Sequence, residues 1–334
     1  MAREMTEQPA RLRQLIGRFD AVVERVRGVA PVPLNGICIV ARGSSDHAAV
    51  YGRYLLEAAT GKPVSLAAPS LHTLYGVDVD YGGQLVIGVS QSGATPEIVR
   101  TLQALQDGGG RGLAITNDPK SELAEAADET IELEMGRERA VPATKTVTGQ
   151  LTAFAIAACA LGRAPFTLDE LKAVPGWVQE VLDDPGPVAA AAEALVGASQ
   201  LIIVARGYLF AAALETALKI KETCALFADG YSAADLRHGP IATVTRGLHV
   251  VALWSPGPAL SDVASIVEEL RARWASVLVV GSGERVDLSL PAETPEALTP
   301  IVAVARGQQL AHVLALRLGH DPDSPEGLTK VTRT

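Results

Sequence analysis

Three charged residues sit at helical spacing in the segment LFAAALETALKIKETCALFA: Glu215, Lys219 and Glu222. Positions i, i+4 and i+7 share one helix face and spread over about 10 Å at ~1.5 Å rise per residue. Such a trio ordinarily reads as a solvated Glu–Lys pair. Here the flanking LFAAAL and ALFA carry no charge, which also allows the three to be buried together. Buried carboxylates and ammonium groups need partners, and such neighbours can tune a glutamate into a working base. His238, in the loop DLRHGP beside Gly and Pro, is either a second proton carrier or a surface residue. Lys330 stands four residues from the end of the sequence, where a chain is ordinarily disordered. The segment GLTKVT around it reads either as a docked tail or as a solvated end.

A second group of residues suits an anion. The apolar run LVIGVS, Leu85 to Ser90, is followed by QSGATPEIVRTL. Ser90, Gln91 and Ser92 supply short polar groups, and Gly93 lets the backbone approach a ligand closely. Thr95 is placed as an N-cap with Pro96 in the first turn. Free amides at a helix start suit a phosphate monoester, although a capped strand-to-helix turn alone explains the same spacing. Ser44 and Ser45, in IVARGSSDH, offer hydroxyls at another helix start. In RAVPATKTVTGQL a further helix opens with Thr144 and Lys145, whose plain reading is a cap followed by a surface lysine. No GxGxxG follows a strand and no GxxxxGK[ST] occurs, which disfavours dinucleotide and nucleoside-triphosphate cradles.

The elements that must position these groups are written twice. IVARG occurs at 39–43 and again at 203–207, an offset of 203 − 39 = 164. At that offset LVIGVS falls on HVVALW (249–254), Gly93 on Gly257, and LAIT (113–116) on VLVV (277–280). Short continuous apolar runs alternating with amphipathic segments predict buried parallel strands with crossover helices. The expected fold class is therefore α/β: two tandem doubly wound parallel sheets of flavodoxin-like or Rossmann-like type, with ligand chemistry at the carboxyl ends of the strands. The expected boundaries are an N-terminal helix over 1–29, a first domain over 30–165, a linker helix over 166–189, a second domain over 190–318, and a tail over 319–334. Under the offset SQSG becomes WSPG (254–257), so the hydroxyl-rich cradle is expected in the first copy only.

Bulk properties narrow the class. The 334 residues are 48% hydrophobic and 20% charged, which suits a soluble globular protein of two domains. A formal net charge of −9 argues against nucleic acid or an anionic membrane surface as a partner. The longest apolar run, LTAFAIAACALG, is too short to span a bilayer, and the N-terminus lacks a signal-peptide core. Cys38, Cys159 and Cys224 are scattered without CxxC spacing, as reduced thiols of a cytoplasmic protein would be. The histidines form no metal-binding pair, so neither a metal nor another cofactor is expected.

Taken as an ordered set, ARGSSDHA, VSQSGATPE, VPATKT, LETALKIKE, DLRHGP and GLTKVT resemble the SIS (sugar isomerase) family. The likeness is to the isomerase half of glucosamine-6-phosphate synthase and to SIS-type glucosamine-6-phosphate deaminases, and it runs over nearly the whole chain. The resemblance implies that Ser90, Gln91, Ser92 and Thr95 hold the substrate phosphate and that Ser45, with Ser44 beside it, serves the sugar-phosphate site. It places Val141 where a backbone group touches the sugar. Ala143 stands where the family usually has a serine, Asp46 where the synthase has an aromatic, Asp235 in place of a glutamate, and Glu326 in place of a common arginine. The resemblance further implies that Glu222 moves a proton between carbons 1 and 2 of the open-chain sugar, that His238 opens the ring, and that Lys219 and Glu215 set the charge around Glu222. Lys330 would contact the ring-oxygen region or form an imine with a ketose. In the family the histidine loop crosses a dimer interface, so a homodimer is expected.

With no Cys before Cys38 and a first strand near residue 36, no glutaminase domain is expected. The expected reaction is glucosamine 6-phosphate to fructose 6-phosphate plus ammonia. The alternatives are dehydration of N-acetylglucosamine 6-phosphate by the same base, and a non-catalytic sugar-phosphate sensor. A sensor would need only the phosphate cradle.

Overall fold

The computed structural model describes residues 1–330. It divides into two compact units that are not contiguous halves of the chain: one comprises residues 10–138 and 145–167, the other residues 1–9, 139–144 and 168–330.

In the first unit, helices α1 (Ala2–Gly17, from residue 10 onward) and α2 (Phe19–Val29) precede strand β1 (Gly36–Val40), α3 (Ser44–Thr60) and β2 (Val64–Leu66). Then follow α4 (Pro69–Thr73), β3 (Gln84–Ser90), α5 (Pro96–Asp107), β4 (Arg111–Thr116), α6 (Glu122–Ala126), β5 (Glu129–Glu132) and α7 (Lys145–Leu161). The strands GICIV and QLVIGVS are buried on both faces apart from the half-buried Gln84, as the continuous apolar runs require. All pairings are parallel, in the order β2-β1-β3-β4-β5. Helix α7 is buried on every face through its first fourteen residues, Lys145 to Ala158, so its length of apolar sequence reflects an interior helix.

The second unit begins with α8 (Leu168–Asp183) and α9 (Gly186–Leu195) and continues with β6 (Gln200–Ala205), α10 (Phe210–Cys224), β7 (Phe227–Ser232) and α11 (Ala233–Arg237). It closes with β8 (His249–Trp254), α12 (Leu260–Ala272), β9 (Ser276–Gly281), β10 (Leu288–Ser289) and α13 (Thr299–Arg317). Its sheet order, β7-β6-β8-β9-β10 with every pair parallel, repeats the first. The fold class read from the repeat is the one observed. The offset of 164 holds to the start of α12 and then slips by one. Ile87 pairs with Leu113, whereas Val251 pairs with Leu278 rather than Val277. The cause is in the crossover helix: α5 has 12 residues and α12 has 13. Among the described residues no helix is long and apolar enough to cross a membrane.

Helix α10 is built from strong helix formers and ends at Ala225 in the left-handed conformation, φ 52°. It lies between α13 and β7. The approach to α13 is close enough to need glycine: a Cβ on Gly307 would come within 2.2 Å of Thr216 Oγ1. Gly307→Ala should therefore lower stability by roughly 1–3 kcal/mol, read as a drop in the thermal midpoint. In a Thr216→Ala background most of that loss should vanish; equal losses in both backgrounds would rule out this contact as the cause.

Candidate active site

The order β2-β1-β3-β4-β5 reverses direction between β1 and β3, and the crevice outside the carboxyl ends of those strands is where doubly wound sheets bind ligands. Both hydroxyl-bearing turns of the first unit lie there. After β3 the chain turns through Gly93 at φ 63°. The Gly93 N–H donates to Ser90 Oγ at 3.1 Å and the Ala94 N–H to Ser92 Oγ at 3.3 Å. A Cβ at Gly93 would stand 1.9 Å from Ser121 Oγ, so only glycine lets this turn rest on the β4–α6 connection. The connection and the first turn of α6 also hold it, through Asn117 N–H to the Gln91 carbonyl at 3.1 Å and Leu123 N–H to the Gly93 carbonyl at 3.0 Å.

Thr95 holds the N-cap position of α5, but its side chain makes no capping hydrogen bond. This departs from the expected cap: the backbone carbonyl of Thr95 receives the Ile98 and Val99 amides at 3.1 and 3.2 Å, and the hydroxyl is not spent on the helix. The other turn starts α3. Ser44 is its first residue and half-buried; Ser45 is buried and its Oγ accepts from Gln150 Nε2 at 2.9 Å. Arg42, from the β1 turn, reaches Glu97 of α5 at 2.8 Å and ties the two turns together. Burial pushes the Asp46 carboxyl above its usual range, against the pull of His47 and Arg42. Lys145 is not a surface lysine: it is 1% exposed and donates to the Arg137 carbonyl at 2.9 Å.

In the second unit, α10 brings Glu215, Lys219 and Glu222 onto one face. The Lys219 ammonium lies 3.5 Å from Glu215 Oε1 and forms an ion pair with Glu222. The side chains of Lys219 and Glu215 are 0% and 1% exposed, while Glu222 is 22% exposed. The trio is thus not a solvated pair. It is a buried ammonium between two carboxylates, of which only Glu222 reaches solvent, and that geometry suits a base that must touch a substrate while its charge is held from behind.

His238 ends α11 and is exposed. Its loop is fixed by Arg237, which donates to Asp262 Oδ1 at 2.6 Å and to Glu269 Oε2 at 3.3 Å. Lys330 is half-buried, and the preceding tail docks: the Val141 N–H donates to the Asp323 carbonyl at 2.9 Å. Ala143, two residues on, is half-buried. The residues after Lys330 in GLTKVT lie outside the described residues. Cys38 and Cys224 are buried and Cys159 half-buried, all three as free thiols; burial pushes the Cys224 thiol up to about 11.

Two positioning residues escape notice in the sequence. Glu4 is buried and accepts the Ala140 N–H at 3.3 Å as well as the Arg139 N–H. Gln8, 0% exposed, donates to Gln308 Oε1 at 2.9 Å, and Gln308 in turn donates to the Thr144 carbonyl at 3.1 Å. Together they hold the 139–144 loop at both ends. The available signal was that positions 4 and 8 fall on the same helical stripe as the buried Met1, Met5, Leu12 and Leu15; polar residues on an apolar stripe need partners.

The SIS domain family model matches residues 35–160 and 194–292, which covers both sheets. The glutamine–fructose-6-phosphate aminotransferase (isomerizing) of Methanothermobacter thermautotrophicus is 33% identical over 338 residues, which are 99% of this chain and 56% of that protein. The chain thus spans little more than half the length of the curated relatives it matches. A solved structure of a candidate phosphosugar isomerase from Silicibacter pomeroyi is 31% identical, with a TM-score of 0.84 over 97% of this chain and 99% of that one. The C-terminal domain of glucosamine–fructose-6-phosphate aminotransferase from Francisella tularensis is 26% identical, with a TM-score of 0.85 over 96% and 97% of the two chains. Matched by the family model in both halves and by relatives along its whole length, this chain belongs to the SIS domain family.

Proposed function

We propose that the chain is an aminosugar-phosphate isomerase and deaminase that converts glucosamine 6-phosphate and water to fructose 6-phosphate and ammonia. The single observation that carries this reading is the α10 trio, a buried Lys219 holding Glu222 at the edge of solvent. A sensor needs a phosphate cradle but has no use for a buried ammonium flanked by two carboxylates. The phosphate of the sugar is assigned to the amides and hydroxyls of Ser90, Gln91, Ser92 and Thr95, with Ser44 and Ser45 on the neighbouring turn. Glu222 takes the carbon-2 proton of the aldose or imine form and returns it at carbon 1. Lys219 and Glu215 fix its orientation and charge. His238 opens the ring, and Lys330 attends the ring oxygen or carbonyl carbon. Water then displaces ammonia at carbon 2. The conversion consumes one water and releases one ammonia.

The exposed position of His238 supports its donation to a second copy of the chain. It follows β7, an edge strand of its sheet, where Phe227 is 67% exposed. A homodimer would cover that edge and complete the site. Ala143 supports a second reading. A serine hydroxyl is missing there, which suits an N-acetyl substituent; loss of the carbon-2 proton followed by departure of the carbon-3 hydroxyl would then give a dehydrated sugar phosphate.

The purified protein should release ammonia and fructose 6-phosphate from glucosamine 6-phosphate in equal amounts. New ultraviolet absorbance from N-acetylglucosamine 6-phosphate, without ammonia, would replace this reading with the dehydratase one, and neither product from a folded dimer would end both. Glu222→Gln should reduce kcat by about 10²–10⁴-fold while leaving the circular dichroism spectrum and thermal midpoint near wild type.

Thr95→Ala separates a ligand contact from a helix cap. An ordinary threonine cap costs about 1 kcal/mol on removal. Because this hydroxyl makes no capping bond, the variant should stay within about 0.5 kcal/mol of wild-type stability and raise KM for the sugar phosphate by roughly tenfold. A stability loss with unchanged KM would assign Thr95 to the helix.

A further inference from the structure

The second sheet has its own switch point, between β6 and β8, and the backbone there copies the first. Gly43 and Gly207 stand at φ 60° and 62° at the ends of β1 and β6. Gly93 and Gly257 follow β3 and β8 at the common offset, and α12 begins at Leu260, the counterpart of Pro96 at the start of α5. The side chains have changed: Trp254, Ser255 and Pro256 replace Ser90, Gln91 and Ser92.

The space over this turn is filled from within the chain. Glu296, in the connection between β10 and α13, lays its carboxylate against the turn. A Cβ on Gly257 would come within 2.2 Å of Glu296 Oε2, and one on Gly207 within 3.8 Å of Oε1. The Ala259 N–H, at the N-cap of α12, donates to the same carboxylate. The walls are apolar, formed by Leu209, Leu253, Trp254 and Leu260, with Arg206 at the rim. Ser255 also lines the pocket; it is 3% exposed and its Oγ has no hydrogen-bond partner. Desolvation accordingly pushes the Glu296 carboxyl up, and the Tyr208 hydroxyl is raised by burial and by Glu296.

We infer that the second copy retains an oxyanion site at its strand ends and that the chain occupies it with its own Glu296 carboxylate, so that the site accepts a phosphate-type oxyanion once this carboxylate is removed. A carboxylate and a phosphate monoester ask for the same things: an amide at a helix start, a glycine turn that permits close approach, and a hydroxyl donor. Ala259, Gly257 and the unpartnered Ser255 supply these. The inference rests on the phosphate role proposed for the first turn only as its analogue.

The test is isothermal titration of inorganic phosphate into wild-type protein and Glu296→Ala at matched ionic strength. Wild type should bind one phosphate per chain and the variant two; equal stoichiometries would overturn the inference. Wild type binding none would count against the first cradle alone, since the variant should still bind one more than wild type. Adding Ser255→Ala should weaken the additional event by roughly threefold to tenfold, one net hydrogen bond. Should the alanine variant be too unstable for titration, phosphate about tenfold above its Kd should raise the variant's thermal midpoint by roughly 3 °C more than that of wild type. An identical shift in both proteins overturns the inference by that route.

Discussion

A lysine ammonium with no exposed surface is the constraint on which the second unit turns. Taking such a charge out of water alone costs several kcal/mol, and its partners must come from nearby with good geometry. Lys219 meets this on its own helix, with Glu215 one turn before and Glu222 just under one turn after. For the arrangement to be dry, α10 must be covered on its remaining sides, which α13 and β7 do. The close passage at Gly307 and the left-handed stop at Ala225 belong to the same requirement. What results is asymmetric: one carboxylate is sealed in and the other is left at the surface, with its charge fixed by a cation that cannot move away. A carboxylate in that position has its charge partner in place before any ligand arrives.

The first unit solves a different problem with the same backbone. Its hydroxyls and amides gather at the switch point between β1 and β3 because the strand order reverses there, leaving a crevice that helices do not cover. The turn after β3 is held by hydrogen bonds within itself and to the β4–α6 connection. The polar side chains are thereby held at the crevice, and the Thr95 hydroxyl is not drawn into the helix. The second unit kept the glycines and the helix start but carries Trp254, Ser255 and Pro256 in place of Ser90, Gln91 and Ser92, so a single hydroxyl remains in the turn. An anion-binding turn left empty over apolar walls would leave donors unsatisfied, and the Glu296 carboxylate answers them. Duplication has thus produced one half that gathers hydroxyls and amides at its switch point, while the other carries a buried ammonium between two carboxylates and lays its own Glu296 carboxylate on the matching turn.

Much of this was legible in the letters. Continuous apolar runs such as LIIVA and VVALW, short, bounded by turns and recurring at a fixed offset, read as strands buried on both faces, and that repeat pointed to the fold class. The SQSG turn and the α10 trio were also visible as residue types at meaningful spacings. Spacing could not tell whether Glu215, Lys219 and Glu222 were solvated, because a helix face has no intrinsic inside; the packing of α13 decided it. Nor could it show that Lys145, written like a surface lysine after a cap, is interior. The single-residue slip after α12 was invisible because one residue more in an amphipathic helix leaves the pattern intact.

What the sequence determined by itself is local and periodic: strands, helices, turns, the duplication, and which residues have the chemistry to bind an anion or carry a proton. These follow from backbone preferences and side-chain types within a few positions of one another. The tertiary structure decided everything that depends on contacts between distant segments. It set Glu4 and Gln8 against the 139–144 loop more than a hundred residues away, brought Asp323 to Val141, and placed Glu296 on a turn some forty residues earlier. Burial, and with it the charge state and partners of each ionisable group, is a property of what surrounds a residue in space, which no short stretch of sequence specifies.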